Sequence, residues 1–112
     1  KNLPPSRDEW VVSLFNIDDS VSVYVNDLKS NQCDLSRSCK VKLSPHFRAG
    51  TNSVRLMYRN EALFWTYGYE VFKNDEMMYK GRCGQVWVFG CGFLNMNVGD
   101  LHQFEFEVEW TN

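Results

Sequence analysis

The chain has 112 residues, of which 44% are hydrophobic, 23% charged and 15% aromatic, enough material for one domain with a core of its own. A formal net charge of −2, with 12 basic residues scattered among 14 acidic ones, argues against nucleic acid as a partner, because phosphate binding needs a concentrated field of Lys and Arg. Seven glycines and three prolines without biased tracts exclude collagen-like and low-complexity chains, and no apolar run is long enough for membrane insertion.

Residues 1–8 read as an N-terminal extension before a single β-sandwich domain over 9–112. The opening Lys1-Asn2-Leu3-Pro4-Pro5 lacks the apolar core of a targeting signal, so any such signal is expected to be gone already. Strands are expected over 10–15 and 20–26, separated by the turn cluster Asn16-Ile17-Asp18-Asp19-Ser20. In the second of these Val21, Val23 and Val25 alternate with polar residues, the mark of a strand with one face in the core. Asn26-Asp27 ends it, since both residues tolerate positive φ. A further strand over 39–43 is interrupted by Pro45, after which His46-Phe47 fill a short loop or single helical turn, with Phe47 plugging the core and His46 exposed.

Gly50 then supplies a free φ before a strand over 52–58. Strands over 64–72 and 77–80 flank Lys73-Asn74-Asp75-Glu76, which reads as a tight hairpin. Strands over 85–89 and 103–110 complete the set. In the last, alternation is strict, and Glu105, Glu107 and Glu109 form a solvated face that also discourages edge pairing. About eight short strands with turn residues between them indicate an all-β antiparallel sandwich or jelly roll, with a closed barrel the lesser alternative.

Four cysteines fall in two close pairs, Cys33 with Cys39 and Cys83 with Cys91. Zinc sites favour tighter spacings with histidine, and neither His46 nor His102 lies beside a pair in sequence. Of the three connectivities, nearest-neighbour pairing into two local disulfides is expected; four buried thiols are the alternative. Disulfides imply an oxidising location, secreted or periplasmic. Polar residues 34–38 are too few to be held by packing, so a bridge there would do what a core cannot.

Catalytic motifs are missing: there is no Gly-x-Ser-x-Gly, no phosphate-cradling loop and no telling carboxylate pair, which points to a non-enzyme. Aromatics are the stronger signal. Tyr58, Phe64, Trp65, Tyr67, Tyr69 and Phe72 crowd into fifteen positions, followed by Trp87, Phe89 and Phe93. Trp65, Tyr67 and Tyr69 share one strand face, which is either core or a flat platform for sugar rings.

Counting strands alternately up and down places Asp18, Pro45, Asn74 and residues 90–99 at one end, and the Cys33–Cys39 loop, Asn60 and Gly81 at the other. The second end then offers Arg59, Asn60 and Glu61 beside Trp65, Tyr67 and Trp87 as a polar-ligand site. The first offers Asp18, Asp19, Asn95 and Asn97, whose oxygens suit Ca²⁺, though ordinary turn chemistry explains the Asp pair and no metal is expected to be obligatory.

Two segments carry a family likeness: Ile17-Asp18-Asp19-Ser20-Val21-Ser22-Val23-Tyr24-Val25-Asn26, and Val41-Lys42-Leu43-Ser44-Pro45-His46-Phe47-Arg48-Ala49-Gly50-Thr51-Asn52-Ser53-Val54-Arg55. Over roughly residues 10–73 they resemble the galactose-binding-like jelly-roll modules found beside glycoside hydrolases and in lectins. Those modules show an Asp-rich turn, a V-x-V-N-G strand end and an L-(S/T)-P-x-(L/F)-x-x-G-x-N-x-(V/I) stretch. Here Asp27 replaces the hairpin Gly, which suggests a different turn geometry, and the Cys83–Cys91 segment has no counterpart. The resemblance implies a carbohydrate-binding module or lectin with a glycan or glycoconjugate partner; because affinity for a single monosaccharide is expected to be weak, several copies acting together are expected for avidity. The rival is an exported protein-interaction module with the same fold and no sugar ligand.

Overall fold

The computed structural model describes residues 8–61, 64–84, 91 and 98–111. They form an all-β antiparallel fold of six strands: β1 (Trp10–Val25), β2 (Leu28–Lys42), β3 (Gly50–Asn60), β4 (Thr66–Lys73), β5 (Glu76–Gly84) and β6 (Gly99–Trp110). One 3₁₀ turn, Ser44–His46, precedes the buried Phe47 and leaves His46 exposed, the arrangement expected around Pro45.

The all-β antiparallel expectation holds, and the described strands make one strongly curled sheet, a half-barrel, that is not clearly a sandwich or jelly roll. The cause lies in β1. Asn16-Ile17-Asp18-Asp19-Ser20 is not a chain reversal: β1 runs 16 residues through it, bending at Asn16 (φ 50°) and shifting register between Ile17 and Ser20. β2 accompanies β1 along its whole length. The remaining edge of β1 is divided, with residues 10–18 pairing β4 and residues 20–25 pairing β3. β5 then extends from β4, and β6 from β3.

Because β1 bends, the two halves of the sheet curl over one another. Tyr58 of β3 stacks on Trp65 and on Tyr67 of β4, with ring centroids 4.6 and 4.9 Å apart. Tyr69 stacks on Phe104 of β6 at 4.6 Å, and Tyr79 of β5 meets Phe106 at 4.9 Å. Tyr58, Trp65, Tyr67, Tyr69 and Phe106 join Val12, Leu14, Val21, Val23, Val54, Leu56 and Val71 in one core, with Phe104 partly buried against it and Tyr79 exposed at its edge. Aromatic pairs at such separations contribute about 0.5–1.5 kcal/mol beyond the area they bury.

Both two-residue hairpin turns have positive φ at each central residue, Asn26-Asp27 (52°, 66°) and Asn74-Asp75 (50°, 69°). That is the twist-matched primed geometry. Asp27 in place of glycine therefore leaves the turn type unchanged, contrary to the expectation from its sequence.

The Cys33–Cys39 segment is also more than a loop, since Asp34, Ser36 and Ser38 pair with β1. Six residues of extended strand span about 20 Å, yet the two cysteine Cα atoms lie 6.3 Å apart and their sulfurs are bonded. The β1–β2 ribbon thus arches outward over residues 34–38, and the disulfide ties the neck of that elbow. The second bridge, Cys83–Cys91, joins the end of β5 to residue 91. The expected strand over 85–89 lies outside the described residues.

Candidate functional site at the ribbon elbow

The elbow opens onto a groove of about 550 Å³ lined by Asn16, Ile17, Asp18, Leu35, Ser36, Arg37 and Thr66, a volume in the range of small-ligand sites. Each lining residue is there for a local reason. Asn16 supplies the left-handed φ at which β1 turns, and Ile17, fully buried, anchors the bend in the core. Opposite them, Ser36 closes a small turn in the arch, its hydroxyl accepting from the Ser38 N–H at 3.2 Å. That turn leaves Leu35 73% exposed, with Arg37 exposed beside it. Thr66 enters from β4, pairing with Asp18. Its Oγ1 is buried without a hydrogen-bond partner among the described residues, which leaves a donor and an acceptor unused by them.

Asp18 and Asp19 sit together at the rim. Burial, then a hydrogen bond and charge repulsion from Asp19, raise the Asp18 carboxyl above its ordinary value. Burial and the same two carboxylates push the Tyr58 phenol up. Asp19 also accepts a hydrogen bond from the Glu61 N–H at 2.6 Å. Beyond it Arg59 reaches Glu61 (3.7 Å) and Asp100 (3.6 Å), exposed ion pairs of little stabilising value.

The residues singled out in sequence are thus partly reunited. Arg59, Asn60 and Glu61 do come to the same place as Asp18 and Asp19, which the alternating strand count puts at the opposite end. The count fails because β1 passes straight through its turn-like segment, which removes one reversal. Arg59 and Glu61 are exposed, whereas Asn60 is fully buried and presents nothing to a ligand. Trp65 (2% exposed) and Tyr67 (0%) are core, stacked on Tyr58, so neither offers the face a sugar platform needs. Trp87, Asn95 and Asn97 lie outside the described residues. Phe64, two residues before Thr66, is an exposed ring, 66% accessible.

Leu35, Ser36, Arg37 and Thr66 have no sequence motif to mark them. The signal that could have found them is the close Cys33–Cys39 spacing, which forces an arch and therefore a concavity behind it.

Near the elbow lies a second cluster. His102 of β6 packs against Tyr67, with centroids 5.6 Å apart and the Tyr67 hydroxyl hydrogen-bonded to its Nδ1. Burial lowers the His102 pKa and raises that of Tyr67. Comparison with protein-family models, with curated proteins and with solved structures finds no match to this chain.

Proposed function

We propose that this protein is a non-catalytic binding module of an oxidising, extracytoplasmic compartment, and that the elbow groove holds a neutral polyhydroxylated ligand, a glycan. The observation that carries this reading is the lining itself. Leu35 and Ile17 bring apolar surface to the groove, and Asn16, Asp18, Ser36, Arg37 and Thr66 bring side chains that can donate or accept hydrogen bonds. Sugars likewise combine apolar C–H faces with hydroxyls. The orphaned Thr66 Oγ1 supports a hydroxyl-bearing ligand, and the exposed Phe64 ring is near enough in the chain to cover one face of a bound sugar. The two disulfides support the compartment. The resemblance of residues 10–73 to galactose-binding-like jelly-roll modules agrees with the role, the curled sheet standing for a variant of that architecture. Several copies acting together would offset weak single-site affinity.

The test is a glycan array followed by calorimetry on any hit. Leu35→Ala and Arg37→Ala should each weaken binding about tenfold, equivalent to about 1.4 kcal/mol, and Lys29→Ala, outside the groove, should not. Absence of binding at millimolar glycan, or hits indifferent to both groove substitutions, would discard the reading. A protein-interaction module is the second reading, supported by Met77, Met78 and Tyr79, all exposed on edge strand β5.

A further inference from the structure

We propose that Cys83, Cys91 and His102 form a redox-gated site for a thiophilic divalent metal ion of the zinc class, closed while the two cysteines are bonded and open once they are reduced. The ligand atoms of these three side chains all lie within 4.8 Å of one another. In a tetrahedral zinc site with Zn–S of about 2.3 Å and Zn–N of about 2.0 Å, neighbouring ligand atoms are about 3.5–3.8 Å apart. Shifts of about an ångström therefore convert the present arrangement into a three-ligand site with one position left for water or a further ligand.

The backbone holds the cysteines in place independently of their bond. The Gly84 N–H donates to the Cys91 carbonyl at 2.8 Å, and the Cys91 N–H donates to the Arg82 carbonyl at 2.9 Å. Two thiols released there remain side by side. Across the sheet, the register of β3 with β6 sets Tyr58 opposite His102, and Tyr67 hydrogen-bonds the imidazole Nδ1. In the tautomer with the proton on Nδ1, the Tyr67 oxygen accepts it and Nε2 keeps its lone pair for a metal; a histidine ligand whose other nitrogen is engaged in this way is the usual outer-shell arrangement. Charge agrees as well. Two thiolates cancel a divalent cation, so the complex carries no net charge next to the buried Cys83.

The chemistry balances with a dithiol as reductant. It transfers two electrons and two protons to the Cys83–Cys91 bond, becoming a disulfide itself, and the incoming metal ion then displaces the two thiol protons into solvent. The sequence offers no sign of the site, because His102 stands well outside any zinc-binding spacing from the cysteines.

The experiment titrates Co²⁺ into the whole protein, with and without prior reduction by a phosphine, and reads the thiolate-to-cobalt charge-transfer band and the visible absorption of a tetrahedral site. Reduced protein should bind one Co²⁺, displaceable by Zn²⁺, while oxidised protein binds none. His102→Gln, which keeps a polar group beside Tyr67, should weaken binding at least tenfold. Cys33→Ser/Cys39→Ser, which removes the other thiols, should leave it unchanged. Binding that survives His102→Gln, or disappears with Cys33→Ser/Cys39→Ser, overturns the proposal, as does a folded reduced protein that takes up no Co²⁺. Where reduction unfolds the chain, recovery of its circular dichroism on adding Zn²⁺ supports the site, and failure to recover refutes it.

Discussion

Replacing Asn52 by alanine should destabilise the protein by about 3 kcal/mol, although the residue belongs to neither candidate site. Asn52 is fully buried at the start of β3 and every polar atom of its side chain is engaged. Its Oδ1 accepts from Asn26 Nδ2 (2.8 Å) and from the Arg48 N–H (3.0 Å), and its Nδ2 donates to the carbonyls of Arg48 (2.8 Å) and Gly50 (3.2 Å). One amide thus ties the loop before β3 to the β1–β2 hairpin turn, where Asn26 Oδ1 in turn accepts from the Ser53 N–H at 2.9 Å. At about 1 kcal/mol net per hydrogen bond the four sum to about 4 kcal/mol. Water reaching the exposed Arg48 and Gly50 returns about 1 kcal/mol of that.

Urea unfolding followed by tryptophan fluorescence should show the loss as a lower midpoint at unchanged slope. In a domain of this size, it corresponds to a melting temperature lower by about 12 °C. Asn52→Asp discriminates further. It keeps the shape and both acceptor contacts but turns a carboxylate toward two carbonyls, so it should be at least as damaging as alanine. A loss below about 0.5 kcal/mol for Asn52→Ala, or an Asn52→Asp variant more stable than Asn52→Ala, would refute the network as the anchor of that corner.

Two further outcomes follow from the same reasoning. Trp65→Ala, which empties a core position stacked on Tyr58, should cost about 3–5 kcal/mol in urea unfolding while leaving the glycan affinity of the folded fraction unchanged; lost affinity at unchanged stability would return Trp65 to the site. For Asp18, the folded-state pKa lies above the ordinary 3.8, so its contribution to stability is fully present below that value and is lost as pH rises through the folded value. Asp18→Asn should accordingly stabilise the protein at neutral pH, with the advantage vanishing below about pH 4 in parallel urea titrations; an advantage that persists at low pH would assign it to something other than ionisation.

Local chemistry determined a good part of this architecture. The alternation of Val21, Val23 and Val25, and that of Phe106 and Val108 among exposed glutamates, appears as written, because period two is a property of a strand whatever lies next to it. The Asn74-Asp75 turn, the buried Phe47 and both cysteine pairings were legible for the same reason: each depends on residues a few positions apart.

Tertiary structure decided the rest. Asn16-Ile17-Asp18-Asp19-Ser20 has the composition of a turn, yet pairing with β2, β3 and β4 carries β1 through it as one bent strand. Both faces of β4 bear aromatics, so only the curling of β3 and β6 over one of them makes Trp65 and Tyr67 core and leaves Phe64 outside. The elbow groove and the Cys83–Cys91–His102 cluster likewise arise from strand register, which joins residues that no local pattern relates. Periodicity and turn chemistry are short-range; which face is covered, and what meets across a sheet, is settled by long-range pairing that a one-dimensional reading does not contain.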